Sequence, residues 1–317
     1  MDILLYSPED QDALASGLAQ ALPEATIHVW QEPGSTGTSG NATTLPLCEY
    51  AVLWAPPASL FHGQDRLKAI FALGAGVDSL MRCPGLPAGV PVVRIEDAGM
   101  ADQMIEYALY AALQRLRHFD EYRRFSAARK WQALPYTARK DVRIGVLGLG
   151  ELGRRVAGAL ASFGFRVSAW SRSEKQAEGI LCRNGSDGLD AVLASSDVLV
   201  VLLPLTDGTR GLLDHRALSL LPEGACLVNL ARGPIIVDVD LLALLSTGHI
   251  GSAFLDVFNT EPLPPEHPYW GHPRVCVTPH VAAVIPPAES VAQISGKIRR
   301  IEAGLSSSGV VDTVAGY

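Results

Sequence analysis

Three polar side chains in the C-terminal half each stand where an apolar, strand-like run gives out: Arg232 within residues 227–233, Glu261 within 255–264 and His280 within 277–283. An arginine, an acid and a histidine placed this way can bind a carboxylate, orient an imidazole and move a proton. Taken singly, each has a plainer reading: a helix-flanking charge, a turn acid before proline, a satisfied loop histidine. Together they point to chemistry, because they lie downstream of a second motif. Residues 142–153 read Val-Arg-Ile-Gly-Val-Leu-Gly-Leu-Gly-Glu-Leu-Gly, a β-branched apolar run that ends in a tight Gly-x-Gly turn and opens an apolar-periodic segment. That is strand, turn and helix in the order of a dinucleotide-binding unit. Gly148 serves the tight turn, Gly150 the approach of backbone amides to a pyrophosphate, and Gly153 the close packing of helix on strand. The helix start at Glu151 and Leu152 adds orphan N–H donors and the positive end of a dipole.

The next strand of such a unit ends in an acid when the ligand's ribose 2′-hydroxyl is free. Here it ends in Trp170-Ser171-Arg172-Ser173, with no carboxylate before Glu174. An arginine between two hydroxyls pairs with a 2′-phosphate that a carboxylate would repel. The expected cofactor is therefore NADPH/NADP, in preference to NAD.

The elements that must hold these residues follow from pattern. Strands are expected at 3–6, 26–30, 50–54, 69–73 and 91–95, with a helix over 11–21 and a Gly/Ser/Thr-rich loop over 33–44. Between the fourth and fifth strands, Leu73-Gly74-Ala75-Gly76-Val77-Asp78 is a glycine-bracketed turn at a strand's C-terminal end, where open α/β sheets bind ligands. It reads equally well as a simple strand-to-helix connection. One long helix is expected over 102–124, from the spacing of Ile105, Leu109, Leu113, Leu116 and Phe119. An aromatic, irregular stretch from Trp131 to Tyr136 follows and suits a packed loop or a subunit contact. From 143 the alternation resumes, with strands expected at 143–147, 166–170, 198–203, 225–229, 252–256 and 275–278 and a closing helix at 286–305. The fold class is α/β, with doubly wound parallel sheets.

Composition bounds the partners. The 317 residues are 48% hydrophobic and 19% charged, with net charge −7, which suits a globular enzyme and argues against nucleic-acid or acidic-membrane partners. An anionic substrate would need a local positive site. The start, Met1-Asp2-Ile3-Leu4-Leu5-Tyr6, reads as a strand rather than a signal peptide, and the five scattered cysteines lack metal or redox spacing. No metal site and a cytoplasmic location are expected.

At this point the whole chain resembles the D-isomer-specific 2-hydroxyacid dehydrogenases, and within them the branch that reduces glyoxylate and hydroxypyruvate. The resemblance rests on Trp54-Ala55-Pro56-Pro57, the run 71–78, Glu96-Asp97-Ala98-Gly99-Met100, Asn229-Leu230-Ala231-Arg232-Gly233, the run 256–264, and Thr278-Pro279-His280-Val281-Ala282-Ala283. It implies two Rossmann-like domains: a flavodoxin-like substrate domain of residues 1–97 plus 285–317, and an inserted NAD(P)-binding domain of residues 98–284. Substrate would lie in a cleft between them. His280 would protonate the carbonyl oxygen as hydride arrives at C2, Glu261 would orient its imidazole, and Arg232 would grip the substrate and stabilise developing charge. The amides of Gly74, Ala75, Gly76 and Val77 would bind the carboxylate, and Trp54 would close the side-chain pocket. Asp256 would fix the nicotinamide carboxamide, while Met104, Leu203, Pro204, Leu230 and Ala231 would line the cofactor site. A homodimer through the nucleotide-binding domain is implied, with Trp131 reaching toward the neighbouring subunit. The implied function is NADPH-dependent reduction of glyoxylate to glycolate and of hydroxypyruvate to D-glycerate. Reduction of a bulkier 2-keto acid, such as phenylpyruvate or 2-ketoisocaproate, stays open, as does a non-enzymatic NAD(P)-sensing role.

Overall fold

The computed structural model describes residues 1–31 and 46–312; the loop expected over 33–44 lies outside them. The chain divides into two compact units, Met1–Ala98 with Ile285–Tyr317, and Gly99–Val284.

In the first unit β1 (Asp2–Tyr6), β2 (Thr26–Val29), β3 (Tyr50–Leu53), β4 (Ala69–Ala72) and β5 (Val92–Arg94) form a parallel sheet in the order β2-β1-β3-β4-β5. Every residue of β3 and β4 is buried, as continuous apolar runs are when helices cover both faces of a parallel sheet. Expected strands 50–54, 69–73 and 91–95 each overran by a residue or more. Their apolar runs continue into the C-terminal turns after the ladder has stopped. Helix α1 (Gln11–Ala21) and the chain's closing helix, α9 (Pro287–Glu302), belong to this unit, as does the one-turn α2 (Asp78–Met81). The two longer helices meet at Gly17, where an added Cβ would come within 2.8 Å of a Val291 methyl. The tail then returns to the sheet, with Val310 bridging antiparallel to Val93, a pairing the sequence pattern did not signal.

In the second unit β6 (Arg143–Leu147), β7 (Arg166–Trp170), β8 (Leu181–Arg183), β9 (Val198–Val201), β10 (Ala225–Asn229), β11 (Ile250–Leu255) and β12 (Val275–Val277) run in the order β12-β11-β10-β9-β6-β7-β8. β6 pairs parallel with β7 on one side and β9 on the other, so the winding reverses at β6. The crevice outside the C-terminal ends of these strands is where such sheets bind dinucleotides. Strand β8 was not expected. It is three residues long with no fully buried side chain, so it carries no apolar alternation.

The helices of this unit are α3 (Met100–Leu116), α4 (Phe119–Ala127), α5 (Glu151–Ser162), α6 (Gly185–Ala194), α7 (His215–Ser219) and α8 (Asp238–Thr247). The single helix expected over 102–124 is thus two helices, broken where His118 takes a left-handed φ of 54°. Apolar spacing alone did not separate a face that packs from one that does not. α3 buries Ala108, Ala111 and Ala112, whereas α4 buries no residue at all.

At the start of this sheet Arg143 grips Asp197 with its Nη2 and Nε, at 2.7 and 3.0 Å, and its own backbone N–H adds a third bond at 2.9 Å. Burial pushes the Asp197 carboxyl up, but the Arg143 hydrogen bonds and charge outweigh it and hold the group below its ordinary value. The linked stability is therefore present at neutral pH and is lost as pH falls through the depressed folded-state value. Asp197→Asn is expected to remove about 1 kcal/mol at neutral pH and much less at acid pH, read by urea denaturation. The size is modest because Arg143 stays 40% exposed to screening solvent.

Candidate active site

The glycine loop connects β6 to α5 as the fingerprint requires. Gly148 has φ 108°, in the left-handed half of the map, and a Cβ there would lie 2.7 Å from the Leu202 carbonyl oxygen. A Cβ on Gly153 would overlap the Gly148 oxygen at 1.9 Å, so only glycine lets α5 come this close to its strand. Gly150 caps α5 and faces open space, followed by exposed Glu151 and part-buried Leu152. The loop therefore leaves room for a pyrophosphate at a helix N-terminus.

The turn after β7 is built from its neighbours. Ser171 donates its N–H to the Arg183 carbonyl of β8 and its hydroxyl to the Ser173 carbonyl, which turns Arg172 and Ser173 out to the surface. A residue that sequence reasoning passed over joins them: Lys175 donates Nζ to the Leu149 carbonyl at 2.9 Å. It places a cation against the fingerprint loop; a lysine three residues beyond Arg172 was the available signal. Leu203 and Pro204 follow β9 at the same end of the sheet, Leu203 buried and Pro204 partly so. Met104 is partly buried against the core cluster that includes Leu149, Leu230 and Ala282.

Arg232, Glu261 and His280 follow the ends of β10, β11 and β12. After β10 the buried Asn229 accepts from the Ala231 N–H and donates to the Arg232 carbonyl, at 3.1 Å each, and so shapes the turn that carries Leu230, Ala231 and Arg232. This bracing role was not read from the sequence. Arg232 is partly buried, and its Nη1 donates to the Ala231 carbonyl at 2.7 Å. Gly233, next to it, lies so close to Phe258 that a Cβ would fall 1.9 Å from that residue's carbonyl carbon. This approach brings the Arg232 turn onto the segment that carries Glu261.

Glu261 divides its carboxylate between two donors. One oxygen accepts the Phe258 N–H at 2.8 Å, and the other accepts Nδ1 of His280 at 2.8 Å. Burial raises the Glu261 carboxyl, yet these hydrogen bonds, with the charges of His280 and Arg232, outweigh burial and keep it below its ordinary value. The acid is thus ionised under working conditions. With Nδ1 donating to Glu261, Nε2 is the nitrogen left to face a ligand, and the His280 side chain is 39% exposed.

Asp256 is 1% exposed and accepts from the Thr278 hydroxyl at 2.6 Å, the Val281 N–H at 2.9 Å and the Ala282 N–H at 2.9 Å. The sequence resemblance implied a cofactor contact for this residue. In the fold its carboxylate holds the loop that carries His280.

In the first unit, Gly74, Ala75, Gly76 and Val77 lie between β4 and α2. A Cβ on Gly74 would meet the Trp54 ring at 2.5 Å. The indole lies directly on this loop, a reason for glycine that is separate from anion binding.

A doubly wound sheet with this loop, and an Arg, a Glu–His pair and a buried Asp at its strand ends, defines a nicotinamide dinucleotide-dependent oxidoreductase. The chain belongs to the D-isomer-specific 2-hydroxyacid dehydrogenase family, whose NAD-binding domain matches residues 109–282. It is 43% identical, over the full length of both chains, to glyoxylate/hydroxypyruvate reductase A of Serratia proteamaculans. Among solved structures, a D-isomer specific 2-hydroxyacid dehydrogenase from Xanthobacter autotrophicus Py2 in complex with NADPH and MES superposes with a TM-score of 0.91. Identity is 39%, covering 100% of this chain and 99% of that one. The NADPH-dependent glyoxylate/hydroxypyruvate reductase of Sinorhizobium meliloti, in complex with NADP and sulfate, gives 0.90 at 36% identity with the same coverage. Among the described residues no helix is long and apolar enough to cross a membrane.

Proposed function

We propose that the chain reduces small 2-keto acids with NADPH, converting glyoxylate to glycolate and hydroxypyruvate to D-glycerate. The observation that carries this reading is the 2.8 Å His280–Glu261 pair, which leaves Nε2 of an exposed imidazole as a proton donor. The names of the Serratia and Sinorhizobium relatives support the substrate class. Gly148, Gly150, Glu151 and Leu152 would hold the pyrophosphate, and Ser171, Arg172, Ser173 and Lys175 the 2′-phosphate. Leu203, Pro204, Leu230, Ala231, Met104 and Asp256 would lie about the remainder. When bound, the reduced dinucleotide supplies hydride to C2 of the keto acid.

The protein's own groups do the rest. His280 donates a proton from Nε2 to the carbonyl oxygen, Glu261 keeps the imidazole oriented through Nδ1, and Arg232 offsets the charge that develops on that oxygen. The amides of Gly74, Ala75, Gly76 and Val77 take the carboxylate, and the Trp54 ring over Gly74 favours a small substituent. Glu261, held below the ordinary carboxylate value of 4.5, stays ionised down to still lower pH, so it adds no acid loss near 4.5. A pH series of initial rates through the acid range tests this.

A homodimer through the nucleotide-binding unit belongs to the same proposal. Trp131 and Tyr136, both almost fully exposed, are the surface that supports it. A cytoplasmic location accords with five free cysteines. The deciding experiment follows NADPH oxidation with glyoxylate, hydroxypyruvate, pyruvate and phenylpyruvate, repeated with NADH. Turnover of the small acids with NADPH preferred is expected. Preference for phenylpyruvate would move the substrate to a bulkier acid, and silence with all four would overturn the enzymatic reading.

A further inference from the structure

The loop carrying His280 is under backbone strain, and the source of its restraint can be traced atom by atom. His280 has φ 55°, a left-handed conformation that is strained for a residue with a Cβ. Asp256 holds it from both sides: its carbonyl accepts the His280 N–H at 2.8 Å, and its carboxylate accepts the amides of Val281 and Ala282. The remaining donor to that carboxylate is the Thr278 hydroxyl.

Thr278 has one hydroxyl proton, and it donates that proton to Asp256. The 2.8 Å contact between the Thr278 and Tyr107 hydroxyls must then run the other way, with Tyr107 donating. Burial raises the Tyr107 phenol to about 12, so it remains a donor across the working pH range. Tyr107 lies on α3, one turn beyond Gln103. Gln103 reaches the far end of the same loop, donating Nε2 to the Val284 carbonyl at 2.8 Å and accepting the Val284 N–H at 3.0 Å. Residues four apart share a helix face, so one face of α3 grips the His280 loop at both ends.

We infer that Tyr107 is a positioning residue for the reaction, acting through Thr278 and Asp256 to hold His280 in its strained, productive backbone conformation. The chain of donors is Tyr107 to Thr278 to Asp256, and each bond polarises the next. Removing the first weakens the grip of the carboxylate on the amides that flank His280. The inference rests on the reductase reading for its kinetic readout, but not for its structural one.

Tyr107→Phe removes a single hydroxyl and keeps the ring. It is expected to lower kcat for hydroxypyruvate reduction about tenfold, with less than a twofold change in the Kd for NADPH. Thr278→Val is expected to do the same, and Thr278→Ser, which retains the hydroxyl, to recover most of that loss. The double variant Y107F/T278V should lose about tenfold rather than a hundredfold, since both changes break one chain. Independently of any substrate, the Val281 and Ala282 amides should exchange hydrogen several-fold faster in Tyr107→Phe. A kcat loss under threefold for Tyr107→Phe, or losses that multiply in the double variant, would overturn the inference. If the wild-type protein itself fails to reduce hydroxypyruvate, the substrate assignment falls, and unchanged amide exchange would then overturn this inference separately.

Discussion

His280→Asn is expected to lower kcat for keto-acid reduction by about 10²–10⁴, the range that general acid catalysis supplies. The asparagine amide nitrogen, attached to Cγ as Nδ1 is, can still meet the Glu261 oxygen that now takes Nδ1 at 2.8 Å, so the loop's contacts are largely preserved. What it lacks is an acidic proton for the carbonyl oxygen. Calorimetric titration with NADPH should therefore show nearly wild-type affinity beside the collapsed rate. A loss below fivefold, with hydride transfer shown to limit turnover, would remove His280 as the acid and leave Arg232 as the chief stabiliser of the oxyanion.

The second large effect concerns the cofactor. Arg172→Asp replaces a surface cation at the end of β7 with the carboxylate that NAD-binding units carry there. On the proposed assignment it would remove a charge-assisted pair to the 2′-phosphate and add a repulsion. About 100-fold of NADPH affinity is expected to go, or about 2.7 kcal/mol, while NADH changes little. Lys175, anchored on the Leu149 carbonyl, remains to hold part of the phosphate, so NADPH binding should weaken rather than vanish. Equal loss of both cofactors would show that Arg172 supports the turn rather than the phosphate.

These residues were legible because their chemistry coincides with breaks in pattern. Gly148 and Gly153 were assigned a turn and a close approach, and the contacts a Cβ would make with the Leu202 and Gly148 oxygens bear those roles out. Glu261 and His280 lie 19 residues apart, and only the parallel pairing of β11 with β12 explains why they meet. What escaped the sequence depends on partners distant along the chain. Asn229 was visible in its motif, but its bracing of the Arg232 turn is a matter of side-chain direction. Tyr107 and Gln103 sit in a helix whose apolar spacing drew attention to the other faces. The break at His118 was invisible because nothing there is a proline or glycine; α3 ends on buried Leu116, and the left-handed turn at His118 follows. β8 is short and exposed, yet it supplies the carbonyl that shapes the Ser171 turn.

The contact between α1 and α9 at Gly17 has a consequence for how the protein is made. The unit that contains it draws on both ends of the chain, whereas Gly99–Val284 is one uninterrupted stretch. On the ribosome the second unit is complete in sequence once residue 284 has emerged, and domains generally fold as units. The first unit cannot finish until Ile285–Tyr317 has emerged as well. Until then α1 lacks the Val291 side of its packing, and the Tyr50 hydroxyl and the Lys68 ammonium lack Glu302. For the time needed to synthesise the nucleotide-binding unit, a nascent sheet with an uncovered helix waits at the N-terminus. That interval is when this chain most needs protection from aggregation.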